Sequence, residues 1–321
     1  MRADHVVIKK ALGAGGFKRA YLVDVFDNEL EECRREVMVV PRGGFSLEEN
    51  VHQQGLPERN LSYDDKKLFK GERLLRKERR LLESLSGIEG VPESRPYSSD
   101  KRIFTPFETE WTLQDHILTY RDNCYEEGGA SLWHYAKDFI QTMCDATLTL
   151  EMMGDQGVVT HGDIKPANFL ALTHKLDYNE CSIRVLDYGS VIHEDFRYFP
   201  RRSMMTTRGY APPEFYRFWP HANHNRGRDL IRPNEKSDVY MLGMCLWEGL
   251  TPGANIYKDV MTDDFFLVMG MPSIYPNYCA IGMSTDIDEI IMNSIQWSPK
   301  DRWSRKELLG RLDDLFQWMS R

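Results

Sequence analysis

His161-Gly162-Asp163-Ile164-Lys165-Pro166-Ala167-Asn168, followed further on by Val185-Leu186-Asp187-Tyr188-Gly189, is the stretch on which the fold of this chain turns. Between the two segments stand Phe169 to Leu172 and Ile183 to Leu186, apolar runs short enough to be the arms of a hairpin. A hairpin returns to where it started. Asp163, Asn168 and Asp187, which bracket it, therefore meet in space, and such joint spacing marks a built polar cluster.

On the N-terminal side the pattern is that of a small sheet. Val6-Val7-Ile8, Ala20-Tyr21-Leu22-Val23 and Val37-Met38-Val39-Val40 are strand-like runs, separated by a glycine cluster and by the polar stretch from Phe26 to Arg35. Residues 41 to 67 read as a long loop. The pattern turns helical at Leu74 until Gly87, Gly90 and Pro92 interrupt it, and Lys101 to Phe107 reads as a last strand. Beyond Trp111 it predicts helices near 112–120, 131–153, 236–250, 285–296 and 305–319. A strand-rich front and a helix-rich back make an α+β fold in two lobes, with the cleft between them as the expected ligand site.

Bulk composition sets outer limits. The 321 residues suit two domains or one large two-lobed unit, and 41 % apolar with 12 % aromatic residues supply a core. With 41 basic and 49 acidic residues the net charge is −8, which argues against both a nucleic-acid coat and an acidic disordered tail. Only Val6-Val7-Ile8 precede Lys9 and Lys10, too few for a signal-peptide core, and no uncharged apolar run approaches the ~18 residues that span a bilayer. The expectation is a cytoplasmic chain without membrane insertion. Six cysteines, far apart and without a CxxC, read as reduced packing residues.

The two opening segments resemble the HxDxKxxN loop and the DFG motif of eukaryotic-type protein kinases. The resemblance implies a bilobal kinase fold, with a small lobe at 1–106 and a helical lobe at 107–321, and ATP and magnesium as cofactors. It implies that Asp163 accepts the proton of the attacking hydroxyl, that Asn168 and Asp187 hold magnesium, and that Lys165 steadies the transferred phosphoryl group. A lysine at that position is similar to the serine/threonine subclass. Leu12-Gly13-Ala14-Gly15-Gly16-Phe17 corresponds to the glycine-rich loop whose backbone N–H groups approach phosphates. Ala20 stands at the adenine roof, Thr105 at the gatekeeper and Phe107 at the hinge. Pro212-Pro213-Glu214 matches the APE segment, Ser237 to Gly243 the buried core helix and Asp301-Arg302 the arginine that pairs with the APE glutamate. Glu214, Asp238 and Arg302 are thus architectural, and their presence favours a protein substrate over a small molecule.

The chain also departs from the family. The third-strand V-A-I-K pattern reads Val37-Met38-Val39-Val40, with no lysine. Two explanations stay open: a nucleotide-binding pseudokinase acting as a scaffold, or a lysine supplied from elsewhere. Strand side chains alternate faces, so Lys18 points the same way as Ala20. The segment from Gly13 to Lys18 resembles the with-no-lysine kinases, although that likeness is local. Glu78 sits inside a stripe of Leu74, Leu75, Leu81, Leu82 and Leu85, resembles the regulatory-helix glutamate and is expected to pair with Lys18. The joint presence of Asp163, Lys165, Asn168 and Asp187 favours the enzyme, a Ser/Thr-directed kinase. Gly162 replaces the arginine that in many kinases receives an activation-loop phosphate, so phosphorylation at Ser203, Thr206 or Thr207 lacks its usual dock. Arg197, Arg201, Arg202 and Arg208 make that loop basic, and His221 and His224 read as polar surface in an insert at 217–235.

Overall fold

The computed structural model describes residues 5–14, 18–27, 32–41, 65–96, 98–99, 102–109, 111–172, 183–195, 206–216, 233–251 and 284–321. The chain divides into two compact units, one of Met1–Gly87 with Val91–Glu110, the other of Ile88–Gly90 with Trp111–Arg321.

In the first unit β1 (His5–Ala14), β2 (Lys18–Asp27), β3 (Glu32–Pro41) and β4 (Ile103–Pro106) form an antiparallel sheet in the order 1-2-3-4. β1 carries register shifts between Ile8 and Lys10 and between Ala11 and Gly13. The described part of the polar stretch expected to separate strands is itself strand: β2 and β3 stay paired out to Asp27 and Glu32. Backbone ladders do not need apolar side chains, and ion pairs, Lys9–Asp24 at 3.2 Å on one face and Arg34–Glu32 at 2.8 Å on the other, suit charged residues to this end. Tyr21, Val23, Val25, Met38, Val40 and Phe104 are buried together on one face.

Helix α1 (Asp65–Ser84) begins nine residues before Leu74, so 65–67 belong to a helix and not to the expected loop. Lys66-Lys67-Leu68 are good helix formers, and apolar periodicity alone misses a polar first turn. Its inner face is Leu75, Glu78, Leu81 and Leu82, with Leu85 just beyond it, all buried.

The second unit opens with α2 (Leu113–His116), capped by a reciprocal pair between Thr112 and Asp115, then a π turn (Ile117–Arg121) and α3 (Asp122–Glu127). One continuous helix was expected there. α4 (Gly129–Asp155) follows, then β5 (Val158–Thr160), β6 (Phe169–Ala171), β7 (Ile183–Val185) and β8 (Ile192–His193). β6 and β7 form the predicted hairpin, whereas the β5–β8 pair, two or three residues a strand, is too short to leave a pattern. Then come α5 (Pro213–Tyr216), α6 (Glu235–Leu250), α7 (Ser284–Ser294) and α8 (Arg305–Met319). α6 is buried from Ser237 to Leu250, as befits a helix apolar on all sides. α8 packs along α4 and bears on α6 and α7. Among the described residues no helix is long and apolar enough to cross a membrane.

Candidate active site

In the second unit, β5 delivers the chain to the loop 161–168 over the N-terminal turn of α6. Asp238, fully buried, accepts from the Thr160 hydroxyl at 2.7 Å, from His161 N at 2.9 Å and from Gly162 N at 3.2 Å. Gly162 takes φ +81°, a conformation in which a Cβ is strained, so glycine fits this bend. Val185 N donates to Gly90 O at 2.8 Å. Gly90, at φ +87°, abuts Thr149 so closely that a Cβ would lie 2.1 Å from its hydroxyl.

Four donors converge on the Asp163 carboxylate. Thr207 N and Thr207 Oγ1 reach Oδ1 at 2.7 and 2.9 Å, while Lys165 Nζ and Asn168 Nδ2 reach Oδ2 at 3.0 and 3.2 Å. Lys165 Nζ also donates to Thr207 Oγ1 at 2.7 Å, so that hydroxyl accepts from the lysine and gives its own proton to the aspartate. Asn168 Nδ2 donates to Asp163 O at 2.7 Å, which turns the amide nitrogen inward and leaves Oδ1 as the atom for a cation. Leu186 N bonds Asn168 O at 2.8 Å, and the β6–β7 register brings Asp187 beside it. Asp187 stands at φ 60°, ψ 70°, the one non-glycine at positive φ among the described residues, with Gly189 N on its Oδ1 at 3.3 Å. Held strain of this kind gathers at functional sites.

His161 Nε2 lies 3.1 Å from Leu186 O. A carbonyl only accepts, so Nε2 carries the proton; Nδ1 is buried without a hydrogen-bond partner, and the ring stands edge-on to Tyr188 at 5.6 Å. Burial pushes the imidazole below its ordinary value, with Asp238, Asp163 and Asp187 opposing the fall.

In the first unit Lys18 Nζ lies 2.7 Å from Glu78 Oε2, with side chains 15 % and 8 % exposed. The register sets Lys18 opposite Pro41, Ala20 opposite Val39 and Val37 opposite Thr105, so these residues share one face of the sheet. Val40 points to the other face, among Tyr21, Val23 and Met38. Reading Val40 as the residue in the missing lysine's place is therefore corrected: on Lys18's face the third strand presents Val37, Val39 and Pro41, with Pro41 directly opposite Lys18. A run of four alternating-ambiguous apolar residues cannot set strand phase, which only the ladder settles. Next to Glu78, burial lowers the Lys77 ammonium to about 8; Glu78 opposes the fall and Lys18 adds to it.

Leu12, Gly13 and Ala14 continue β1 instead of forming a loop, with Gly13 opposite Ala20. Gly15, Gly16 and Phe17 lie outside the described residues, as do Arg197, Arg201, Arg202, Ser203, His221 and His224, the Arg208 side chain, and residues 42–64 and 217–232 of the two inserts. Thr105 is half-buried, and Phe107 N closes the β3–β4 ladder on Arg35 O at 3.3 Å.

Glu214 and Arg302 form a two-pronged pair, Oε1–Nη1 at 2.8 Å and Oε2–Nη2 at 2.9 Å, both side chains buried. Ser237 Oγ adds to Glu214, while the guanidinium also donates to Gln296 O, Lys236 O and Trp297 O.

The sequence reading missed a further buried carboxylate. Glu248, fully buried in α6, accepts from the Tyr210 hydroxyl, and its carbonyl accepts from Arg121 Nη1 at 2.7 Å. The signal was present: a glutamate in an apolar helix, like Glu78 among leucines. Arg305 was missed as well. At the start of α8 it reaches inward to Leu150 O at 2.5 Å and stands 3.8 Å from Asp238.

The oxygen atoms of Asn168 and Asp187 suit a hard cation such as magnesium, which takes one or two protein oxygens and completes its shell with phosphate oxygens and water. Among the described residues no group of three or more His, Cys, Asp and Glu gathers as a metal site. The family model for protein tyrosine and serine/threonine kinases matches residues 134–312. The dual specificity protein kinase Ttk of Danio rerio is 25 % identical over 178 residues, 54 % of this chain and 16 % of that protein. The chain thus spans about a sixth of the length of this curated relative.

Proposed function

The chain belongs to the family of protein tyrosine and serine/threonine kinases, and from that premise we propose that it is a serine/threonine-directed kinase that uses ATP and magnesium in the cytoplasm and holds the nucleotide's phosphates with Lys18. The observation that carries the reading is the Asp163 cluster, in which Thr207, Lys165 and Asn168 all bond one carboxylate. Magnesium-bound ATP supplies the γ-phosphoryl group; Asn168 Oδ1 and Asp187 are the oxygens that would hold the metal. A substrate hydroxyl enters by displacing one donor from Asp163, which orients it and takes its proton. Lys165, bridging Asp163 and Thr207, supplies positive charge where the transferred group gains negative charge. Lys18, held by Glu78 at 2.7 Å, has one conformation fixed in advance.

Phosphoamino-acid analysis of a generic protein substrate, with magnesium and then with chelator, tests this. Phosphoserine and phosphothreonine should form only with magnesium, and Asp187→Asn should weaken nucleotide binding as well as turnover. Phosphotyrosine as a principal product overturns the serine/threonine assignment.

A further inference from the structure

Arg305 is a buried cation that the phosphotransfer reading does not use. It is the first residue of α8, a helix end where positive charge is unfavourable, yet its side chain is only 5 % exposed. Tertiary contacts draw it inward. Nη1 donates to Leu150 O near the end of α4 at 2.5 Å, and Nη2 donates to Val158 O at the start of β5 at 3.4 Å. A cation that is misplaced at the head of α8 is well placed at the tail of α4.

Room for the guanidinium is built into α4. Gly154 faces it, and a Cβ there would lie 2.6 Å from Nη2. Gly154 is not among the glycines at positive φ, so its helical backbone would accept any residue; the close approach of Arg305 is what calls for glycine. Arginine and glycine, far apart in the sequence, thus form one fitted contact.

That contact bears on Asp238. The Asp238 carboxylate is fully buried and holds the catalytic loop by accepting from Thr160, His161 and Gly162. Arg305 Nη1 stands 3.8 Å from its Oδ2, and among the described residues no other cation comes within ion-pair distance. Glu151 and Glu235, at 3.6 and 3.8 Å from Nε, are each about a third exposed and lean on water as well. Asp238 has no such recourse, and a buried carboxylate without a counter-charge is costly. Asp163 follows Gly162 directly, so what fixes the His161 and Gly162 amides fixes the backbone of Asp163.

We propose that Arg305 is a positioning residue for phosphotransfer. It supplies the counter-charge of Asp238 and pins the carbonyls on either side of the α4–β5 turn, so that the loop carrying Asp163 keeps one place. The proposal rests on the kinase reading. All the contacts of Arg305 are to α4, β5 and α6, and none is to a reacting atom, so its loss acts on kcat and leaves nucleotide binding alone.

The test uses the full chain, γ-labelled ATP and a generic protein substrate, at a temperature well below the melt of each variant. Arg305→Met should lower kcat about ten- to a hundred-fold with nucleotide affinity within about two-fold, the effect of shifting a catalytic group by about 1 Å. Arg305→Lys keeps the charge but not the fork, and should recover part of the loss. Gly154→Ala pushes aside only the flexible end of Arg305, so the fold survives it; kcat should fall, whereas in the Arg305→Met background the same methyl group should cost nothing further. Hydrogen exchange at the His161 and Gly162 amides should quicken in both single variants relative to the core of α4. A lowered melt with wild-type kcat in Arg305→Met makes the arginine a packing residue and overturns the proposal, as do fully additive losses from Gly154→Ala and Arg305→Met. Where Arg305→Met does not fold, Gly154→Ala decides, and wild-type kcat with wild-type exchange there overturns the proposal. Turnover by the wild type with unchanged variants overturns the positioning role alone; no turnover by the wild type overturns the kinase reading beneath it.

Discussion

Replacing Lys18 by methionine keeps the length and apolar stem of the side chain and removes the ammonium that stands 2.7 Å from Glu78 Oε2. Two effects of different size follow. Losing the donor of a part-buried carboxylate costs about 1 to 3 kcal/mol of stability. With Lys18 in its proposed role of holding the phosphates, losing its charge costs about 3 to 4 kcal/mol of transition-state stabilisation, a hundred- to a thousand-fold in kcat. The double variant Lys18→Met, Glu78→Leu separates them, because an apolar pair suits the leucine face of α1 and restores stability without restoring turnover. The register adds a sharper control. Pro41 lies directly opposite Lys18, so Pro41→Lys in the Lys18→Met background should recover part of kcat; Val40→Lys should unfold the sheet, since Val40 is 1 % exposed among apolar side chains. Steady-state kinetics with varied ATP and thermal melts read both effects. Wild-type kcat in Lys18→Met, or rescue by Val40→Lys and not by Pro41→Lys, would refute the reasoning.

Arg302→Ala leaves Glu214 buried beside Ser237 alone, a loss of about 3 to 5 kcal/mol and a Tm fall of roughly 10 °C; Glu214→Leu with Arg302→Leu should lose less than the two single changes summed, and a melt within about 2 °C of wild type would contradict this. His161, neutral and buried, binds fewer protons folded than unfolded below its ordinary value of 6.5, so stability should fall as pH drops through that value and keep falling until the ring charges. His116, also lowered by burial, adds in the same direction, so melts between about pH 7.5 and 5.5 should flatten in His161→Phe and flatten further when His116 is replaced too. Phosphatase-treated protein should keep its activity, because Gly162 offers no charge to a phosphate on the activation loop; an enzyme inert until rephosphorylated would sink that expectation.

Much of the site was legible because its chemistry depends on residue type at short spacing. Asp163, Lys165 and Asn168 lie within six positions, and the apolar arms of β6 and β7 announce that Asp187 returns to them. Glu78 was legible because an acid in a leucine stripe demands a partner. Strand phase was not: Val37 to Val40 are apolar at every position, so alternation carries no information and only the pairing of Lys18 with Pro41 reveals the faces. Helix α1 began early for a related reason, since Asp65, Lys66 and Lys67 in its first turn are polar and leave no mark in an apolar periodicity. The π turn at Ile117–Arg121 ends on Arg121, which reaches Glu248 O, a tertiary contact that no local pattern encodes. β5 and β8 hold good strand formers, Val158-Val159-Thr160 and Ile192, but are too short for alternation to show.

In the proposed reaction Asp163 orients and deprotonates a protein hydroxyl for transfer from ATP. The most direct measurement is incorporation of label from γ-labelled ATP into a generic protein substrate by the purified chain and by Asp163→Asn, with nucleotide binding measured on both. Steady incorporation by the wild type, a loss of at least about a hundred-fold in Asp163→Asn, and equal nucleotide affinity for the two are expected. Equal incorporation by the two proteins would contradict it.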